Sequence, residues 1–232
     1  MSSSASSIVH ALDSIDSLSV SVMETSFARE IGLELYAACK QNDVTAMKSL
    51  TTPTTPWGWS DVLAIAAAEG ALEVSKHCIQ QGASVDDNVL RKVICNEPSA
   101  AVYRYFVESD LVGVDCYIER WGTMLGISAA AGRKSLVEFL VRKGAYANCR
   151  VDAHLFKTAL ACAAGFSDEE VLGLLLEHGA RLNDSGALVF AAQKNKIVNV
   201  RFLVAKGADV EEMGMKIPAD KRSLQSLGVG RI

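Results

Sequence analysis

Hydrophobic residues along the chain fall into short groups that are spaced like the buried faces of paired helices. The segment 121–148 begins with a group of small residues around Leu125. A second, larger apolar group follows and consists of Leu136, Val137, Phe139, Leu140 and Val141. Apolar positions at helical spacing predict amphipathic helices, and Gly132 between the groups permits a tight turn at positive φ. The pattern therefore predicts two short helices joined by a turn, with Thr123 as the cap of the first.

A Gly-Ala pair closes the second helix of this unit and recurs along the chain. The pairs begin at Gly82, Gly144, Gly179 and Gly207, which are 62, 35 and 28 residues apart. The first separation equals two units of about 31 residues, and either Asp110-Leu111 or Gly113-Val114 stands where the missing pair is expected. A period of roughly 30 residues predicts a helical array in which neighbouring units cover each other's apolar faces.

The repeated unit resembles the ankyrin repeat, whose pattern is roughly G-x-T-P-L-H-x-A-A-x-x-G-H followed by V-V-x-x-L-L-x-x-G-A-D-V-N. Matching copies span residues 61–85, 121–148, 157–183 and 186–212, with a degenerate copy at 88–111 and a starting copy at 33–50. Met124 and Gly126 replace the usual Pro and His, and Ser167 replaces a turn glycine. The resemblance implies an all-α ankyrin-repeat solenoid of about five to six helix–turn–helix units in a right-handed stack.

The chain is expected to consist of one repeat domain between two different ends. Residues 1–27 form a serine-rich segment in which Ile8, Leu12, Ile15 and Leu18 recur at helical spacing. This helix is expected to cap the first repeat, and a partner-binding helix is the alternative. Residues 28–212 are the ankyrin-repeat domain, and 213–232 are expected to form an irregular tail.

Composition and charge narrow the classes of partner. The net charge is −4, which disfavours nucleic acid because binding its phosphates requires clustered Lys and Arg. The six cysteines form no C-x-x-C spacing, so they predict small buried residues in a reducing compartment rather than a metal site. The sequence shows no signal-peptide pattern and no apolar run of about 20 residues, so we expect a cytoplasmic protein, with the nucleus as the alternative. We also expect a monomer that binds no cofactor.

The family resemblance also implies a concave groove, formed by the loops called fingers and by the exposed ends of the first helices. Residues at those positions are Trp57, Trp59, Glu69, Asn96, Tyr117, Glu119, Arg120, Trp121, His154, Phe156, Phe166 and Lys194. Tryptophan is over-represented among residues that dominate binding energy, which favours a partner site. The alternative is that each indole packs on the adjacent finger and shields the stack.

Two functions follow from this groove. The first is a binding module that recognises a protein or peptide. The alternative is a small-molecule enzyme of the isomerase or cyclase type, with acid–base chemistry from His154, Asp152 and Glu119. The sequence contains no known catalytic motif, which favours the binding module. A third hypothesis is that the chain is an accessory piece of a longer repeat array.

Overall fold

The computed structural model describes residues 32–51, 58–95, 99–118, 121–149 and 158–210. Within these ranges the chain forms twelve helices and two strands of two residues each. The helices follow one another as six pairs, which confirms the predicted all-α architecture of helix–turn–helix units. The chain divides into two compact units, Met1–Glu119 and Arg120–Ile232, and each contains three of these pairs. The capping helix and the tail predicted at the two ends lie outside the described residues.

Three helix pairs of the first unit are arranged in two layers. The elements are α1 (Leu33–Lys40), α2 (Val44–Leu50), α3 (Trp59–Ala68), α4 (Leu72–Gln80), α5 (Asp87–Cys95), α6 (Ala100–Glu108) and β1 (Tyr117–Ile118). The first helix of each pair lies in one layer, where α3 packs against both α1 and α5. In the second layer, α4 packs against α2 and α6. Residues 62–68 of α3 are all buried and mostly alanine, so the helix backbones can approach closely.

The second unit repeats this arrangement. Its elements are β2 (Gly122–Thr123), α7 (Met124–Ala130), α8 (Lys134–Arg142), α9 (Ala159–Phe166), α10 (Glu169–Glu177), α11 (Ala187–Gln193) and α12 (Ile197–Ala205). In the first layer α9 packs against α7 and α11, and in the second layer α10 packs against α8 and α12. Every residue of α7 is buried, as are residues 159–165 of α9. This unit therefore buries its central first-layer helix almost completely.

Threonine caps start two of the first-layer helices. The Thr123 hydroxyl accepts a hydrogen bond from the backbone N–H of Gly126 at 3.2 Å, as the sequence predicted. Thr158 caps α9 in the same way, through the N–H of Ala161 at 3.1 Å. Its hydroxyl also donates to the carbonyl oxygen of Ser185 in the next repeat, at 3.1 Å. The Thr158 side chain thus caps a helix and also links two successive repeats.

The turn inside a helix pair requires a left-handed residue in most repeats. Gly132 has a φ of 69°, as predicted, and Gly70 has 73° at the equivalent position. Asn42 and Asn195 adopt the same conformation, with φ of 54° and 55°. Ser167 stands in place of the turn glycine, and its backbone is extended, with a φ of −100°. A left-handed conformation costs serine about 1–2 kcal/mol, so this turn takes a different path.

The turn at the end of each second-layer helix contains the repeated Gly-Ala pair. Its glycines are all at positive φ, as predicted: Gly82, Gly144, Gly179 and Gly207. In the degenerate copy this place is taken by Asp110, with a φ of 56°. The next residue, Leu111, donates its N–H to the carbonyl of Phe106 at 2.9 Å, as Ala145 does to Leu140 at 3.0 Å. Of the two alternatives, Asp110-Leu111 is therefore the missing pair.

Asparagine side chains connect successive repeats within each unit. The amide of Asn148 donates to the carbonyl of Gly179 at 2.9 Å and accepts from the N–H of Arg181 at 2.7 Å. Asn183 accepts from a backbone N–H of the following repeat at 3.2 Å. Asn42 accepts from two backbone N–H groups at the start of α4, at 3.0 and 3.2 Å. All these bonds go to main-chain atoms, so they satisfy backbone groups that helix ends and loops leave unpaired.

Aromatic residues of the second layer divide between the core and its edge. Tyr103 and Phe106, in the degenerate copy, are completely buried and fill the space that smaller residues occupy elsewhere. Phe139 was predicted on the buried side of α8, but it is half-exposed. The ammonium of Lys143 lies 5.8 Å from the centre of its ring. Phe139 is therefore an edge residue beneath a lysine, because four other residues of α8 already fill the core side.

Cys39, Cys78 and Cys162 are buried, as the sequence predicted, whereas the same prediction is wrong for Cys116 and Cys149, which are only partly buried. Burial raises the pKa of Cys39 and of Cys78 to about 12. Their thiols are thus protonated at neutral pH and act as small apolar groups. Among the described helices, none has the length and apolar character needed to cross a lipid bilayer.

Candidate partner-binding site

Half of the predicted contact residues lie in the part of the chain that the structure describes. In the first unit these are Trp59, Glu69 and Tyr117, and in the second unit Trp121, Phe166 and Lys194. The predicted contact residues outside the described ranges are Trp57, Asn96, Glu119, Arg120, His154 and Phe156. Asp152 lies outside as well, so all three acid–base candidates are beyond the described residues.

Glu69 ends the first-layer helix α3 and is bonded within the chain. Its carboxylate accepts a hydrogen bond of 2.8 Å from the hydroxyl of Tyr36, which belongs to α1 of the preceding repeat. Together with burial, which is the larger cause, Glu69 raises the pKa of Cys39. The bond to Tyr36 joins this carboxylate to the preceding repeat.

Trp59 is the first residue of α3 rather than part of a loop. Its ring meets the ring of His77 in α4 edge-on, with centroids 5.8 Å apart and an angle of 83°. Burial, followed by the charge of Lys48, lowers the pKa of His77. Trp59 is half-buried and contacts the second-layer helix of its own repeat. A contact between Trp59 and a partner stays a prediction.

Tyr117 lies in strand β1, and Trp121 lies next to strand β2. Tyr117 begins β1 and exposes 50% of its surface. Trp121 stands directly before β2 and is half-buried. An exposed tyrosine of this kind offers both an apolar ring and a polar hydroxyl to a partner, so the site prediction for these two residues is kept.

In the second unit the structure brings two predicted residues, Phe166 and Lys194, into contact. Phe166 is the last residue of α9, and Lys194 directly follows α11. The ring of Phe190 stands beside that of Phe166, with centroids 5.4 Å apart and an angle of 76°. The ammonium of Lys194 lies 5.0 Å from the centre of the Phe166 ring and 5.6 Å from that of Phe190. We call Phe166, Phe190 and Lys194 the Phe–Lys cluster.

A glycine makes room for the Phe–Lys cluster. A Cβ added to Gly165 would stand 2.4 Å and 2.5 Å from two ring atoms of Phe190, and 3.3 Å from Cγ of Lys194. The ring of Phe190 therefore lies directly on the backbone of α9. Alanine occupies the equivalent place in the preceding repeat, at Ala130. The absence of a side chain at Gly165 is thus what lets Phe190 reach Phe166.

Two lysines, Lys194 and Lys196, lie beside Phe166. Lys194 is exposed, and no described carboxylate forms a salt bridge with it. The ammonium of Lys196 approaches the carbonyl oxygen of Phe166 at 3.5 Å. The nearby carboxylate of Asp168 caps α10 and accepts from the N–H of Val171 at 3.1 Å. The cluster therefore presents two half-buried aromatic rings beside two cations.

Sequence reasoning missed two residues of these arrangements, Phe190 and Tyr36. Phe190 stands four residues before Lys194 on α11, and residues at that spacing are neighbours on a helix surface. This spacing was a usable signal. Tyr36 offered no such signal, because its partner Glu69 is 33 residues away. Over the described ranges, no group of three or more His, Cys, Asp or Glu side chains is placed to hold a metal ion.

Comparisons with known proteins place this geometry in a family. Residues 125–213 match the model of ankyrin repeats in three copies, and this segment runs from α7 to beyond α12. One similar structure is a predatory endopeptidase from Bdellovibrio bacteriovorus in complex with an immunity protein (19% identity, 75% of this chain and 98% of that chain, TM-score 0.57). Another is EF0377, an ankyrin repeat protein (21%, 74% and 96%, TM-score 0.55).

A third solved structure, the human ASB11 ankyrin repeat domain, is 21% identical over 75% of this chain and 98% of that chain, with a TM-score of 0.48. No curated protein matches the chain. At their identities, the two structures with TM-scores of 0.57 and 0.55 show the fold alone. The matched family model and the six consecutive helix pairs identify the repeat. Residues 125–213 are therefore ankyrin repeats, and the chain has the fold of ankyrin-repeat proteins.

Proposed function

We propose that this chain is a binding module that recognises a protein or peptide partner. The proposed surface is the face formed by the C-terminal ends of the first-layer helices and the loops beside them. The observation that carries the proposal is the Phe–Lys cluster, in which two residues predicted to contact a partner meet at that face of the second unit. Ankyrin repeats generally serve as protein-interaction modules, which agrees with this surface.

The position of the cluster within the repeat supports a recognition role. The residue before the inner turn is Ala131, Phe166 and Lys194 in the three repeats of the second unit, and Glu69 in the first unit. A small, an aromatic, a cationic and an anionic side chain thus occupy one structural position on an otherwise similar scaffold. Variation at a surface position over a constant framework is typical of sites that determine which partner is bound.

The packing of the cluster also favours binding. Phe190 rests on the backbone at Gly165, and its ring contacts Phe166 edge-on. Side chains that are already ordered lose less conformational entropy when a partner arrives. Half-buried aromatic rings supply the apolar area on which interfaces depend. The cluster is therefore pre-arranged for a contact that combines apolar packing with a charge.

The enzyme alternative depends on His154, Asp152 and Glu119, which lie outside the described residues. No feature of the described residues favours an isomerase or cyclase over a binding module. A small-molecule enzyme therefore remains the second hypothesis, and turnover retained after His154→Ala would exclude the acid–base role of that residue.

Affinity capture with matched variants tests the proposal. The test variant combines Phe166→Ala with Lys194→Ala. The control combines Phe139→Ala with Lys143→Ala, which removes a similar lysine–phenylalanine contact from the second-layer side. We expect proteins that wild type and control retain to be lost by the test variant, and purified candidates to bind directly. Candidates that bind all three forms equally, with all forms folded by circular dichroism, would contradict this surface.

A further inference from the structure

The Phe–Lys cluster also indicates the chemistry of its occupant. Resting on the proposed function, we propose that the partner segment bound there is acidic: it places a carboxylate against Lys194 and an apolar side chain against Phe166. Both groups lie on one face of the partner segment. The inference depends on the direction in which the Lys194 ammonium is held, on the charges around it and on the shape of the surface beside Phe166.

The ammonium of Lys194 is held in place without a carboxylate partner among the described residues. Two aromatic rings lie 5.0 and 5.6 Å from it, and such contacts attract a cation through the negative faces of the rings. They leave N–H donors of the ammonium directed to solvent, because a ring face accepts no full hydrogen bond. A partner carboxylate would accept from these donors in a charge-assisted bond, with a lysine side chain that is already restrained.

The charges around the cluster select an acidic segment over a basic one. Lys196 approaches the carbonyl of Phe166 at 3.5 Å, so a second cation lies on the same side of the ring. The carboxylate of Asp168 is engaged by the N–H of Val171 at the start of α10. A basic segment would meet two like charges here, and unfavourable charges of this kind exclude wrong partners.

An apolar side chain has a place beside Phe166. The equivalent residue of the preceding repeat is Ala131, and helices α7 and α9 of these repeats pack side by side. Phe166 is half-buried, so an aliphatic or aromatic side chain can cover the remaining ring surface and remove it from water.

The geometry also sets how the two groups are spaced in the partner. Lys194 Nζ lies 5.0 Å from the centre of the Phe166 ring, so groups that contact both are at most about 12 Å apart, after adding about 3 Å for the hydrogen bond and about 4 Å for the packing contact. Residues i and i+2 of an extended peptide meet this requirement, and so do residues i and i+4 of a helix. Adjacent residues of an extended peptide do not, because their side chains point to opposite faces.

Selection from a random peptide library displayed on phage tests the inference. The baits are the full chain as wild type, Lys194→Glu, Phe166→Ala and the control Lys143→Glu. We expect wild type and control to enrich Asp or Glu two or four residues from an apolar residue. Lys194→Glu should enrich Lys or Arg instead, and Phe166→Ala should lose the apolar preference. A synthetic wild-type-selected peptide should bind Lys194→Ala about tenfold more weakly, as expected for one lost charge-assisted bond.

The outcomes separate this inference from the proposed function. Enriched peptides without an acidic preference, whose affinity is unchanged by Lys194→Glu and Phe166→Ala, would overturn the inference and leave a binding module that uses another surface. Failure to enrich any peptide on folded wild-type bait would count against the proposed function as well. Because Lys194 is exposed, Lys194→Glu should unfold at the wild-type temperature, and this comparison is made before selection.

Discussion

The ring of Phe190 lies on the backbone at Gly165, where an added Cβ would stand 2.4 Å from ring atom Cε1. We expect Gly165→Ala to displace the ring. Overpacking of this kind costs about 1–3 kcal/mol, against which the better helix propensity of alanine offsets about 1 kcal/mol. Urea denaturation of the single variant measures the net change in the free energy of unfolding.

A double-mutant cycle isolates the clash itself. In a Phe190→Ala background the ring is gone, so Gly165→Ala should stabilise the protein by up to about 1 kcal/mol. The coupling between the two positions should exceed about 1 kcal/mol. Equal effects of Gly165→Ala in both backgrounds would show that the ring does not depend on the glycine.

Asn199 is buried to 2% exposure and bonds two carbonyl groups of the preceding repeat. Its amide donates to Ala164 at 2.9 Å and to Ser167 at 3.0 Å. Asn199→Leu should lower the free energy of unfolding by about 2–4 kcal/mol, because both carbonyls lose their donor. Urea denaturation measures this change.

The substitution Asn199→Asp tests the role of the amide with a side chain of nearly the same shape. At neutral pH its carboxylate would face two carbonyl oxygens, so we expect at least as large a loss as with leucine. In mild acid the protonated carboxyl group can donate one bond, and part of the lost stability should return relative to wild type at the same pH. A variant as stable as wild type at pH 7 would refute the role given to the amide.

Asn195 adopts a left-handed backbone with a φ of 55°. Replacing it by alanine should cost about 1 kcal/mol, whereas glycine should be tolerated. Ser167 provides the matched control, since its φ is −100° at the equivalent turn and Ser167→Ala meets no such conformational cost. Thermal unfolding of the three variants gives the order, and an equal cost for alanine and glycine at residue 195 would contradict a conformational cause.

The buried thiols should make the protein sensitive to alkali. The pKa of Cys39 is raised by burial and then by Glu69, and that of Cys78 chiefly by burial, both from 9.0 to about 12. Below pH 9 the thiols are protonated in both states and add no pH dependence. Between pH 9 and 12 they ionise only in the unfolded chain, so stability falls as pH rises, by up to about 1.4 kcal/mol per pH unit for each thiol.

The variant Cys39→Ala/Cys78→Ala controls for other groups that titrate in alkali. Its free energy of unfolding should fall less steeply between pH 9 and 10 than that of wild type, although its stability at pH 7 is itself changed. Parallel slopes for the two proteins would show that these thiols ionise as readily in the native state as in the unfolded chain.

The sequence was sufficient for features that depend on a single local rule. Thr123 as a cap and Gly132 and Gly144 as turn residues follow from short-range chemistry, and the structure confirms all three. Ser167 was aligned with the turn glycine, but the alignment did not indicate that its backbone would be extended. Phe139 was placed in the core because periodicity alone does not show how much of α8 its neighbours cover.

The candidate site was predictable only in part. Phe166 and Lys194 follow from their register in the repeat, but their meeting depends on Phe190 crossing over Gly165. That approach joins residues of two repeats, and nothing within one repeat indicates it. The bond between Tyr36 and Glu69 was missed for the same reason. Predicting contacts of this kind requires knowing how one repeat is oriented on the next.

The asparagines that connect repeats form hydrogen bonds only to backbone carbonyl and N–H groups, and every amino acid except proline supplies both. Asn148 would therefore keep its hydrogen bonds to the backbone of the following loop after nearly any substitution of the side chains there. Most substitutions in these loops therefore preserve the asparagine–backbone hydrogen bonds between repeats. A lineage of such chains can accordingly acquire new binding preferences without first rebuilding its framework.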